Sequence, residues 1–422
     1  MNKISVIGLG KLGLTFALFL SSKGYSVRGF DVNPNIISLL KDKKNPYVEP
    51  GLNKLLSSKK NDFEVELDYI NLFKNSLIFL VLPTPSLKEG NFDNSFILNF
   101  IKNFKKYKQA NQKYFIFITS TVSPESCKLF ESIIGDKKVS LIYNPHFIAL
   151  GSILNNLQKP DFILLGTHNE ESRLIATKVY KKVYGAKFKN IAKFMSIIEA
   201  EITKLSLNTY VTTKISYANT ISQLADKVGA NARVILDAVG SDTRVGKKYL
   251  GIGAEYAGPC FPRDNKALIN FLNKKKSPSF LPKATDDTNA SQWRRIKELI
   301  DSLKLQNLQS LIIGFAGLSY KDNSSFIENS PSINFIKKYK KNTEYVYFDK
   351  YVEENDAIKI VPKIKKVMNL QELLEVSDII ILTYTSKNFQ IPDKLLNRYK
   401  KTIIDLWGVN KNSKYVKTLG NL

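Results

Sequence analysis

Cysteine and histidine are nearly absent from this chain: 422 residues carry two of each. Two distant thiols give no disulfide framework and suit a reducing, cytoplasmic compartment. Four such side chains are too few for a zinc centre of the usual kind, so no metal is expected. Arginine is scarce as well, only eight of the 63 basic residues, although the formal net charge is +25. The excess is lysine spread along the whole chain, as in Lys274-Lys275-Lys276 and Lys337-Lys338. Such runs read as solvated faces rather than a nucleic-acid groove, and a basic surface still steers an anionic small molecule. Long apolar runs are missing too: nowhere do about 18 uncharged apolar residues follow one another, so no membrane span is expected. The apolar start behind Lys3 is broken by Lys11 and three glycines, and no small-residue cleavage site follows.

Hydrophobic residues make up 43% of the chain, enough for two or three packed domains. Lys3–Ile7 is a short apolar run fit for a buried parallel strand. Gly8-Leu9-Gly10-Lys11-Leu12-Gly13 follows, then a helical pattern to Ser22, then a second strand, Ser26–Phe30, closed by Asp31. Strand, GxGxxG, helix, strand and acid form a dinucleotide-binding order. Gly8 makes the tight turn, Gly10 admits a pyrophosphate and Gly13 lets helix and strand pack. Asp31 accepts ribose hydroxyls and repels a 2′-phosphate, which favours NAD.

Further strands are expected at 76–82, 114–119, 139–143 and 162–166, followed by Pro83-Thr84-Pro85, Ser120-Thr121-Val122 and Asn144-Pro145-His146. The carboxyl ends of strands are where open α/β sheets bind ligands, though Pro83 and Pro85 also fit a merely rigid turn. Residues 196–228 form the longest helical pattern, and Glu201, Lys204 and Asn208 fall on one face of it. A lone helical lysine is ordinarily solvated; a Lys and an Asn one turn apart can aim two donors at one point. Residues 240–258 are irregular and glycine-rich. Residues 264–273 read as a helix, 276–288 (with Pro278 and Pro282) as a loop, and 290–303 as another helix.

A second α/β half starts with a strand at 308–314, whose turn Gly314-Phe315-Ala316-Gly317 lacks the full fingerprint. Strands at 345–349, 379–383 and 402–405 follow. The expected fold is α/β: two Rossmann-like, doubly wound parallel-sheet domains joined by a central helical domain with a long helix. The boundaries fall at 1–195, 196–303 and 304–422.

One thiol stands out. Cys260, in Ala257-Gly258-Pro259-Cys260-Phe261-Pro262-Arg263-Asp264, has small residues before it, a carboxylate four residues on and an arginine that would favour the thiolate. By itself a lone cysteine is more often a small buried hydrophobe.

Taken in order, these segments resemble the UDP-glucose/GDP-mannose dehydrogenase family over nearly the whole chain. The likeness rests on the fingerprint, Glu49-Pro50-Gly51-Leu52, Leu82-Pro83-Thr84-Pro85, Ser120-Thr121-Val122, Asn144-Pro145 and residues 201–208. It continues through Thr243-Arg244-Val245-Gly246, Cys260–Asp264, Ser319-Tyr320-Lys321 and Asn329-Ser330-Pro331. Phe261 after the cysteine is more like the UDP-glucose branch. The resemblance implies NAD-dependent oxidation of the C6 hydroxymethyl group of a UDP-sugar, UDP-glucose to UDP-glucuronate, serving surface polysaccharide.

In that reading Asp264, through a water and with Thr121, helps deprotonate the alcohol. Cys260 carries the thiohemiacetal and thioester, and Lys204 and Asn208 stabilise the oxyanion. Lys11, Leu12, Pro83, Thr84 and Thr121 join the glycines and Asp31 around NAD. Phe147, Ile148, Arg244, Tyr249, Leu250, Tyr256, Gly258 and Lys321 join Lys204 and Asn208 around the substrate. Arg244 reaching from a neighbouring subunit, with the long helix, implies a homodimer.

The departures are specific. His146 stands where the family places a glutamate base, and a neutral imidazole is a candidate for that role. Leu150 replaces a second glutamate, Glu255 and Ala257 replace glycines, and Glu328, Trp407 and Phe162 replace arginines. Oxidation of another nucleotide sugar (GDP-mannose or a UDP-N-acetylhexosamine), arrest at the aldehyde or thioester, and a non-catalytic nucleotide-sugar-binding role are the competing readings. A nucleic-acid-binding role is the least favoured.

Overall fold

The computed structural model describes residues 2–303, 310–339, 342–411 and 413–422. The chain divides into two compact units, residues 1–206 and 207–422. The first is built on β1 (Lys3–Ile7), β2 (Ser26–Phe30), β3 (Phe63–Val65), β4 (Leu77–Leu80), β5 (Tyr114–Ile118), β6 (Val139–Tyr143), β7 (Ile163–Gly166) and β8 (Ala192–Met195). They form one sheet in the order β3-β2-β1-β4-β5-β6-β7-β8, parallel except where β6 meets β7 at Tyr143 and Gly166. The inner strands are apolar on both faces because both are covered. Leu77 and Phe79 of β4 join one core with the helix Lys11–Ser22, and Ile78 and Leu80 join the other with the helices Ser95–Tyr107 and Ser126–Ile134. Phe79 and Phe117 stack at 4.2 Å between ring centroids on adjacent strands.

The second unit carries β9 (Leu311–Ala316), β10 (Thr343–Phe348), β11 (Lys365–Lys366), β12 (Ile379–Leu382), β13 (Thr402–Asp405) and β14 (Val416–Thr418). They pair in parallel in the order β11-β10-β9-β12-β13-β14. Both sheets therefore reverse direction beside their first strand, which opens a crevice at the carboxyl ends of β1 and β4 and of β9 and β12.

The two crevices are made by the same device. Gly8, at φ +94°, donates its N–H to the Phe30 carbonyl at 2.9 Å, and Leu9 N–H reaches an Asp31 oxygen at 2.7 Å. Gly317, at φ +99°, donates to Phe348 at 2.9 Å, and Leu318 N–H reaches Asp349 at 2.9 Å. The two turns lead into different structures. A helix starts at Lys11, whereas after Gly317 the next helix is Pro331–Lys338. Asp349 is buried and also accepts from the Ser319 N–H and hydroxyl, so its work is internal.

Helical residues open the second unit. The helix Ile197–Val228 supplies its start, followed by Ala232–Ser241, Phe261–Lys274 and Phe280–Ser302. The last of these corrects the expected loop at 276–288. Pro282 sits in the first helical turn, where its missing N–H has no intrahelical acceptor to satisfy in any case. Gly314 also lies in β9 rather than in a turn. A Cβ there would stand 2.3 Å from the Ser377 hydroxyl, so the strand needs glycine to pack on its covering helix. Residues 308 and 309 of the expected strand lie outside the described residues. β3, β8, β11 and β14 are short edge or near-edge strands, and their apolar patterns are too weak to predict a strand. No described helix is long and apolar enough to cross a membrane.

Candidate active site

The glycine turn of the first unit leaves room for a ligand at one point only. A Cβ on Gly13 would lie 1.9 Å from the Gly8 carbonyl oxygen, and one on Gly8 would lie 2.3 Å from the Val81 oxygen. Gly10 has nothing within 4 Å of its would-be Cβ and caps the helix Lys11–Ser22 with no side-chain hydrogen bond. The first amides of that helix, from Lys11 and Leu12 onward, are left for an anion, as a pyrophosphate requires. Asp31 Oδ2 accepts from Leu9 and Oδ1 from the Asn33 N–H at 2.9 Å. A carboxylate has lone pairs beyond these two, so ribose hydroxyls still find acceptors. The residues present fit a dinucleotide.

A tyrosine that no sequence motif announces holds this turn. Tyr47 donates its hydroxyl to the Leu9 carbonyl at 2.9 Å, and burial pushes its pKa up to about 12. Glu49 accepts from the Gly151 and Ile153 N–H groups at 2.7 and 2.8 Å, capping the helix Ile153–Gln158. Burial lowers the Lys11 pKa, and Glu49 offsets part of that.

Past β4 and β5 the chain places Pro83, Thr84 and Thr121. Thr84 is buried and donates to the Thr121 carbonyl at 2.7 Å, which ties the two strand ends together. Past β6 come His146, Phe147 and Ile148. Lys204 Nζ donates to the His146 carbonyl at 3.0 Å and lies 4.4 Å from the centre of the Phe147 ring. The His146 ring packs edge-on against Phe16 at 4.6 Å. The residue as a whole is half-buried, but Nε2 is buried and meets no hydrogen-bond partner among the described residues. Burial first, and Lys204 second, hold its pKa down at about 3. This imidazole is always neutral near pH 7, yet only weakly basic.

Glu201 shares a helix face with Lys204 but has another task. Buried beneath the helix Ser126–Ile134, it accepts from the Glu125 and Cys127 N–H groups at 2.7 and 2.9 Å. Cys127, the second thiol, is fully buried there and its pKa is pushed well up by burial and by Glu201.

In the second unit Cys260 is the N-cap of the helix Phe261–Lys274 and half-buried. Its thiol is borne at the electropositive end of a four-turn helix. Asp264 is fully buried in the first turn, and its N–H closes on the Cys260 carbonyl at 2.8 Å. Arg263 reaches that carboxylate, with Nε and Nη2 each 3.0 Å from Oδ1. Asn208 Nδ2 donates to Oδ2 at 2.6 Å.

Two residues that the sequence did not single out, Asn289 and Asp286, help to hold the loop leading to Cys260. Asn289 grips both peptide groups of Tyr256, accepting from its N–H at 2.7 Å and donating to its carbonyl at 3.0 Å. The Tyr256 hydroxyl bonds to Asp286. Burial and Asp286 raise the pKa of that phenol. Gly258, at φ +83°, lies under the Tyr320 ring, 2.7 Å from a would-be Cβ, and Gly253 lies under Trp407 at 2.4 Å. Trp407 is fixed by Nε1 donating to the Thr383 carbonyl at 2.9 Å. Glu255 is buried and accepts from Asn334 at 2.5 Å, with Lys338 at 3.8 Å.

Leu250 is buried, while Tyr249 stands exposed at φ +62°. Lys321 lies 5.7 Å from the Tyr320 ring. Arg244 points into solvent, its side chain 86% exposed and paired with Asp242 at 2.6 Å. Its loop is tied to the long helix by Lys214, which donates to the Val245 and Gly246 carbonyls.

Three domain models of the UDP-glucose/GDP-mannose dehydrogenase family match the chain. They are the NAD binding domain at residues 2–184, the central domain at 198–291 and the UDP binding domain at 314–412. The UDP-glucose 6-dehydrogenase of Rickettsia conorii is 29% identical over 342 residues, 79% of this chain and 77% of that one. UDP-glucose 6-dehydrogenase TuaD of Bacillus subtilis is 27% identical over 80% of this chain and 73% of that one. The structure of a UDP-glucose dehydrogenase from Pyrobaculum islandicum superposes with a TM-score of 0.86 at 25% identity, over 99% of this chain and 96% of that one. A UDP-D-ManNAc dehydrogenase from Pyrococcus horikoshii shares the fold, with a TM-score of 0.85 at 22% identity over 99% of each chain.

Proposed function

Because this chain belongs to the UDP-glucose/GDP-mannose dehydrogenase family and is an NAD-dependent oxidoreductase of nucleotide sugars, we propose that its substrate is UDP-glucose and its product UDP-glucuronate. The observation that carries the reading is Cys260 at a helix start whose first turn also holds Asp264, bonded to Asn208. NAD would be held by Gly8, Gly10, Lys11, Leu12, Gly13, Asp31, Pro83, Thr84 and Thr121, and would supply the acceptor for the hydrides that leave C6.

The protein's own part is to manage the thiol, the oxyanion and the protons. Asp264 and Thr121 assist loss of the hydroxyl proton through a water. The Cys260 thiolate adds to the aldehyde carbon, and the thiohemiacetal that forms loses a second hydride to become a thioester. Lys204 and Asn208 donate to the oxygen that carries negative charge. Water then attacks the thioester, sulfur leaves as thiolate, and His146 takes the proton from water. A base with a pKa of about 3 drives that transfer weakly, so hydrolysis limits the rate.

Phe147, Ile148, Tyr249, Leu250, Tyr256, Gly258 and Lys321 are assigned to the substrate. Arg244 is assigned to the substrate of a neighbouring subunit in a homodimer. Its exposure supports this, as do Tyr210, Tyr217 and Leu224, which stand exposed two helical turns apart along Ile197–Val228. Residues 1–195, 196–303 and 304–422 are assigned as the NAD-binding, central dimerisation and nucleotide-sugar-binding domains.

The test follows NADH at 340 nm with UDP-glucose, on the wild type and Cys260→Ser, with the product identified by mass. Two NADH per sugar in a burst, a slower steady state, and loss of UDP-glucuronate in the variant are expected. A thioester adduct that never turns over would support arrest instead. Silence with UDP-glucose beside turnover of UDP-N-acetylmannosamine or GDP-mannose would move the substrate.

A further inference from the structure

Asp264 is assigned to proton transfer through a water, and its surroundings give it a second job. The carboxylate is fully buried and both oxygens are engaged. Oδ1 takes the Nε and Nη2 donors of Arg263, each at 3.0 Å, and Oδ2 takes the Asn208 amide at 2.6 Å. A buried carboxylate needs a counterion, and the Arg263 fork provides one on the residue just before it. The consequence falls on Asn208. A primary amide has one acceptor end and one donor end and can be turned through 180°. An ionised carboxylate has no hydrogen to give, so only the NH2 end can face it. The contact therefore fixes which way round Asn208 sits. One N–H is spent on Asp264, the second is left for a ligand, and the carbonyl oxygen is turned away. A developing oxyanion needs that donor and is repelled by the carbonyl.

We infer that Arg263 is a positioning residue for the oxidation: it holds the Asp264 carboxylate in place, and Asp264 in turn locks the Asn208 amide with its donor end available to the reacting oxygen. The inference rests on the dehydrogenase reading. Arg263 acts through Asn208, so the losses from the two residues are not independent.

The experiment is a double-mutant cycle in kcat with saturating NAD and UDP-glucose, using Arg263→Met, Asn208→Ala and the double variant, with Arg263→Lys beside them. Arg263→Met is expected to lower kcat by about 100-fold, the loss of one oxyanion donor, with KM changed by less than roughly threefold. The double variant should fall within roughly threefold of the worse single variant, because the second change removes nothing further. Arg263→Lys keeps the counterion and should recover most of the loss. If Arg263→Met does not fold, Arg263→Gln takes its place in the cycle.

Losses that multiply in the double variant would overturn the inference while leaving an active dehydrogenase. So would an unchanged kcat in Arg263→Met, or an Arg263→Lys as poor as the Met variant. A wild type that makes no NADH from UDP-glucose, UDP-N-acetylmannosamine or GDP-mannose would overturn the dehydrogenase reading, and this inference with it.

Discussion

Replacing His146 with Phe is expected to make the protein more resistant to acid. The phenyl ring keeps the edge-on packing against Phe16 and removes the nitrogen that titrates. Histidine ordinarily titrates near 6.5, and in the folded chain burial holds this one at about 3. Below pH 6.5 the unfolded chain gains a proton here that the folded chain refuses, so stability is lost as pH falls from 6.5 towards 3. Each unit of separation is worth about 1.4 kcal/mol. At about pH 4.5, roughly two units below the ordinary value, His146 alone costs about 3 kcal/mol.

Urea denaturation followed by far-ultraviolet circular dichroism at about pH 7.5 and about pH 4.5, on both proteins, measures it. Other groups titrate in the same window but do so in both chains, and the difference between the two pH-induced losses isolates His146. A loss smaller in the variant by about 3 kcal/mol is expected. Equal losses in both chains would refute the reasoning, and would show that water reaches Nε2 and lets it protonate in the folded state.

Gly13→Ala should weaken NAD binding by about tenfold or more by calorimetry. Its Cβ must displace the Gly8 carbonyl now 1.9 Å from that point, at an overpacking cost of about 1–3 kcal/mol; an unchanged Kd would refute the packing argument. Glu201→Ala should cost about 3 kcal/mol, since one buried and one partly buried N–H group lose a carboxylate acceptor. On a unit of this size that is a fall of roughly 6–12 °C in Tm by scanning calorimetry; a shift under about 2 °C would show that water replaces the carboxylate.

The part of this protein legible in its sequence is the part that chemistry makes local. Apolar runs gave the inner strands because both sheet faces are covered. The GxGxxG turn was readable because its three glycines fall within six residues between one strand and one helix, and Asp31 because it closes the next strand. The family resemblance could be seen from the order of short motifs, each a few residues long. Helix starts were less legible: Pro282 looked like a loop residue, though the first turn of a helix accepts proline freely.

What the tertiary structure decided is what each polar side chain does, since that depends on neighbours far along the chain. Arg263 looked like a charge for the thiol, and the fold also makes it the counterion of Asp264. Glu201, on the same helix face as Lys204, caps a helix more than seventy residues earlier. His146 looked like a base poised near neutrality until burial of Nε2 and the nearby Lys204 lowered its basicity. The second crevice, at Gly317 and Asp349, repeats the first in its backbone bonds and differs in lacking a helix directly after the turn. Sequence determined which residue types were available at each strand end. Only the packing of distant segments determined their partners, and for a buried charge the partner sets the chemistry.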